Sequence, residues 1–165
     1  MGKTDMDPQL RNLLLAADRP FHHPTEEVYD GDPGTLDEAR LRGRNAVDEI
    51  GTALGKRLVL ADEIQDAFFW GIAFEPSADE EDCSPDLGLK FSRCGDLVAT
   101  WTPTGKSPLP KDQLEQVQGI LQKFGFQWVD GDVLRNERYD GVYDYFKSWH
   151  WNAPATWWDR FFEYD

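Results

Sequence analysis

The sequence predicts an α+β fold, a single mostly antiparallel sheet of about five strands flanked by two or three helices. Three observations carry this. Apolar residues recur every three or four positions over 36–54, as on one face of a helix. The run 67–75 is apolar at both odd and even positions, as in a strand covered on both sides. Two alternating segments, 87–92 and 97–102, flank Arg93-Cys94-Gly95-Asp96, as in a hairpin. The chain of 165 residues fits one domain, read here as 1–165 with a partly irregular segment 1–34 before a compact core 35–165.

Asp7-Pro8 has the form of an N-cap followed by proline at the first helical position, and Leu10, Leu13, Leu14 and Ala17 then share a face. A short helix is expected over 8–17. Residues 18–34, with Pro20, Pro24, Gly31, Pro33 and Gly34, read as a loop. Thr35 and Glu38 have capping-box spacing, and Gly55 suits the C-terminal end of the helix they open.

In the run 67–75, strict alternation places Phe68, Trp70, Ile72 and Phe74 on one face and Phe69, Gly71 and Ala73 on the other. Further on, Leu114, Val117, Ile120, Leu121 and Phe124 form a helical stripe stopped by Gly125. Segments 126–129 and 132–134 read as short strands around Asp130-Gly131, a dipeptide suited to a two-residue type I′ turn. The aromatic tail, Tyr139 to Tyr164, closes with a short helix expected over 155–163.

The formal net charge is −14, with 40% hydrophobic and 13% aromatic residues. That content is too apolar for a disordered chain. The charge disfavours nucleic-acid phosphates and anionic membrane surfaces and complements a basic protein. Two cysteines and no apolar N-terminal run lead us to expect neither a leader nor a spanning helix, and a cytoplasmic location. The oligomeric state is not readable.

No chemical motif is complete. Gly105-Lys106-Ser107 lacks the first glycine of a phosphate-binding loop, and Pro108 removes an N–H donor. Cys83, Cys94, His22 and His23 lack the spacing of zinc ligands, so no metal and no cofactor are expected. A Cys83–Cys94 bridge needs the acidic segment to fold back. Trp149-His150-Trp151 holds an imidazole between indoles, with Asp144 or Asp159 to orient it, but has no recognisable nucleophile beside it. Asp62/Asp66 and Asp159/Glu163 have i,i+4 spacing, which chance produces readily in so acidic a chain.

The candidate partner-binding residues are therefore the contiguous run Asp79, Glu80, Glu81 and Asp82, and the aromatic cluster Trp149, His150, Trp151, Trp157 and Trp158. The alternative for Trp157, Trp158, Phe161 and Phe162 is that all pack inward. The function expected first is a non-enzymatic acidic interaction protein, of inhibitor or immunity type, that binds a basic partner. A small hydrolase or transferase using His150, and a small-molecule sensor with an aromatic pocket, are the other two readings.

Overall fold

The computed structural model of the chain describes residues 6–18, 33–62, 69–76, 87–101, 109–142 and 154–162. Among these residues run helices α1 (Pro8–Ala17) and α2 (Pro33–Leu54), strands β1 (Val59–Ala61), β2 (Phe69–Phe74), β3 (Gly88–Ser92) and β4 (Leu97–Trp101), helix α3 (Lys111–Lys123), strand β5 (Gln127–Asp130), and helices α4 (Gly131–Asn136) and α5 (Trp157–Phe162). The strands form one sheet in the order β1-β2-β3-β4-β5. Every pairing is antiparallel except β4 with β5, which is parallel. The α+β architecture with a mostly antiparallel sheet is thus as expected. The parallel pair is possible because α3 carries the chain back between its strands.

The sheet has helices on both faces. On one side, Ala39, Ala46 and Ile50 of α2 and Val117 and Leu121 of α3 pack on Trp70, Leu89, Phe91 and Val98. On the other, Leu14 of α1, Leu134 of α4, and Trp157, Trp158, Phe161 and Phe162 of α5 pack with Leu97, Ala99 and Val129. The alternation in β4 feeds both layers, Val98 to one and Leu97 and Ala99 to the other, because successive side chains point to opposite faces.

Local chemistry explains most boundaries. The Asp7 carboxylate accepts the Gln9 N–H (3.0 Å) and caps α1, with Pro8 in the first turn. Helix α2 begins at Pro33, earlier than the Thr35 cap expected, and a proline is favoured in a first helical turn. Gly55 (φ 63°) and Gly125 (φ 84°) follow α2 and α3 in the left-handed region that favours glycine. In the β3–β4 turn, Gly95 and Asp96 both have positive φ (63° and 53°), and Leu97 N–H donates to the Cys94 carbonyl. A tight hairpin needs this backbone twist.

Three expectations are corrected. Residues 132–134 are not a strand. The Asp130 carboxylate accepts the N–H groups of Asp132 (2.9 Å) and Val133 (3.4 Å), so the residue read as a turn position is the N-cap of α4. The fifth strand is instead β1, a three-residue edge too short to show alternation. Finally, Trp70 does not share a face with Ile72 and Phe74. Phe69 pairs with Ser92 and Gly71 with Phe91, so a bulge at Trp70 turns the indole to the α2 side.

The cap gives a first prediction. Asp130→Ala is expected to cost about 1 kcal/mol, seen as a lower midpoint in urea unfolding; an unchanged midpoint contradicts the capping role.

Candidate functional site

The acidic run Asp79–Asp82 and the fragment Trp149-His150-Trp151 lie outside the described residues, as do Gly105-Lys106-Ser107, Cys83, His22 and His23. Trp157 (0% exposed) and Trp158 (2%) are core residues. Their indoles stack one turn apart on Phe161 (5.9 Å between centroids) and Phe162 (5.0 Å). This is the inward-packed alternative, and it leaves neither tryptophan on the surface as a contact residue.

Helix α5 is short, and neighbouring chain sets its place. Arg138 and Thr156 form an isolated antiparallel bridge, with Tyr139 N–H on the Ala155 carbonyl (2.8 Å) and Trp157 N–H on the Glu137 carbonyl (3.1 Å). Thr156 and Asp159 then cap the helix reciprocally: the Asp159 carboxylate accepts the Thr156 N–H (2.7 Å), and the Thr156 hydroxyl accepts the Asp159 N–H (3.4 Å). Asp159 is therefore engaged in the cap. At the other end, Lys90 of β3 donates to the Phe162 carbonyl (2.8 Å) and lies against the Phe69 ring, 4.3 Å from its centroid. In the pair Asp62/Asp66, Asp62 accepts from Arg44 (2.6 Å); Asp66, like the Glu163 partner of Asp159, is outside the described residues.

The capped helix directs Arg160 into the interior. Arg160 and Asp18 form a salt bridge at 2.6 Å with both side chains fully buried. Asp18 directly follows α1, and its carboxylate is shared: Oδ1 accepts from Arg160 Nε (2.6 Å), and Oδ2 accepts from the Tyr139 hydroxyl (2.5 Å) and the Val142 N–H (2.8 Å). Arg160 Nη1 also lies 3.8 Å from Cys94 Sγ. Burial, the strongest influence, opposes charge on Arg160; electrostatic interaction and hydrogen bonding with Cys94 and Asp18 outweigh it and raise the guanidinium pKa. Gly141 completes the arrangement, because a Cβ there would fall 2.0 Å from Asp18 Oδ2.

Sequence reasoning does not single out this cluster. Its legible trace is Arg160 itself, a charge inside Trp-Trp-Asp-Arg-Phe-Phe, where the positions one helical turn apart are aromatic on both flanks. Cys94 is buried, so its thiol faces the interior rather than solvent. No group of His, Cys, Asp or Glu among the described residues is arranged to hold a metal ion, and no helix among them is long and apolar enough to cross a membrane.

The charge on the surface is unevenly distributed. The described residues carry nearly as many Lys and Arg as Asp and Glu, so most of the negative surplus belongs to the segments between them. On the framework itself, many basic groups are engaged: Arg11 with Asp140, Arg42 with Asp96, Arg44 with Asp62, Lys56 with Glu75 and Lys123 with Glu49. Exposed carboxylates remain on α2, where Glu38 and Asp48 flank Leu41, itself 58% exposed.

Comparison with protein-family models, with curated proteins and with solved structures finds no match to this chain.

Proposed function

We propose that the protein is a non-catalytic interaction protein that docks on a basic protein partner through its acidic segments, in the manner of an inhibitor or immunity-type protein. The distribution of charge supports this reading. A nearly balanced framework holds a rigid two-sided core, and the surplus carboxylates are concentrated in the segments outside it, above all in Asp79-Glu80-Glu81-Asp82. Such a pattern attracts a partner over distance while leaving the framework's own ion pairs intact. Trp157 and Trp158 are buried in the framework, so the contact residues we propose are those of the acidic segments, with Trp149, His150 and Trp151 and the outer face of α2.

The test is the salt dependence of binding. A basic protein retained by the immobilised chain from native lysate at low salt is expected to lose affinity as salt rises through the range where the Debye length falls to about 8 Å. Changing Asp79, Glu80, Glu81 and Asp82 together to Ser is expected to leave the unfolding midpoint unchanged and to slow association by about tenfold. Binding that is indifferent to salt, or to these four substitutions, contradicts the reading.

A further inference from the structure

The carboxylate of Asp18 is held in the manner of a bound ligand. Its donors come from segments far away in the chain, Arg160 Nε from α5 and the Tyr139 hydroxyl and Val142 N–H from the stretch after α4. One oxygen accepts from the guanidinium and the other from two donors, which suits a carboxylate and leaves it no need of water. The seat is shaped as well as charged. Gly141 leaves room that any Cβ would fill, and Arg160, wholly buried, is held in charged form by its surroundings.

The element that delivers Asp18 is slight. Helix α1 has ten residues, of which Leu14 and Ala17 are buried and Leu10, Leu13 and Leu15 pack partly buried on the same cluster, and a helix of that length is marginal alone. Its second long-range tie is the exposed pair of Arg11 with Asp140, worth little in water. Under it lie Leu97, Tyr139 and Trp157, which share its apolar cluster.

We propose that Arg160, Tyr139 and Val142 form a carboxylate-binding cradle which Asp18 occupies in cis, so that α1 is a latch over the C-terminal aromatic cluster. A compact carboxylate that takes the place of Asp18 frees the latch and uncovers that cluster. The inference stands apart from the charge-steered docking above, since the cradle is cationic and internal.

The test is chemical rescue. Asp18→Ala deletes the carboxylate and leaves a space the size of formate. Thermal unfolding of this variant is compared in sodium formate and sodium chloride of equal ionic strength, beside the wild type and the double variant Asp18→Ala/Arg160→Met. Formate is expected to raise the Asp18→Ala midpoint by about 3 °C or more over chloride, and to give no such gain in the wild type or the double variant. Equal midpoints in the two salts, or an equal gain in the double variant, overturn the cradle. Hydrogen exchange of the wild type reads the latch directly and does not depend on the folding of Asp18→Ala. The amides of Leu14 to Ala17 are expected to exchange at least about tenfold faster than those of β3 and β4. Exchange at one common rate, the mark of global unfolding only, overturns it.

Discussion

Replacing Arg160 by Met is expected to lower the stability of the protein by about 3–5 kcal/mol. The methionine keeps much of the volume, so the loss isolates charge from cavity. Asp18 retains the Tyr139 hydroxyl and the Val142 N–H, but its carboxylate, fully buried, is left without a cation. Urea unfolding measures the effect as a fall in midpoint at constant slope. Adding Asp18→Asn to the same chain removes the stranded charge while keeping one oxygen for both remaining donors, and is expected to return at least about 1 kcal/mol. A loss below about 1 kcal/mol for Arg160→Met would show that Asp18 behaves as a solvated carboxylate, against its complete burial.

Trp70→Ala is expected to cost about 3–5 kcal/mol, through the cavity it opens. Trp70 is fully buried where β2 bulges, with its ring 4.8 Å from Phe91, which itself meets Phe126 edge-on at 5.3 Å. Helix α2 accommodates it with a bare backbone, because a Cβ at Gly43 would lie 2.5 Å from the indole. Among the described residues the indole N–H has no hydrogen-bond partner, so the expected cost is one of packing. Near-neutral behaviour in urea unfolding would mean that the bulge straightens and Phe69 takes the site, restoring the plain alternation.

How far the sequence discloses this molecule depends on how local each determinant is. The α1 cap, the α2 stripe, the β3–β4 hairpin and the stop at Gly125 are all readable, because each depends on residues a few positions apart. The bulge at Trp70 is not, since two-residue periodicity contains no sign of an inserted residue. Asp130-Gly131 misleads for a specific reason. Aspartate favours both a turn and a helix N-cap, and the choice falls to the helix because Leu134 then reaches the core beside Trp158. The buried cluster is the least legible part. Asp18 meets donors more than a hundred residues away, and no local pattern announces such a meeting. For the same reason Trp157 and Trp158, attractive as surface anchors by composition, prove to be interior once α5 is seen lying on the sheet.

The separation between Asp18 and its donors has a consequence for the order of assembly. A ribosome makes α1 well before Arg160, which lies 142 residues beyond Asp18 in the chain. The nascent chain must therefore carry the leucines of α1 without that seat until α5 has been made. Residues 33–130, which hold the whole sheet together with α2 and α3, emerge well before that and need nothing from α1 for their own pairing. Docking of α1 on α5 thus follows the synthesis of the sheet, and a chain released short of Arg160 exposes α1 to the quality-control machinery of the cell.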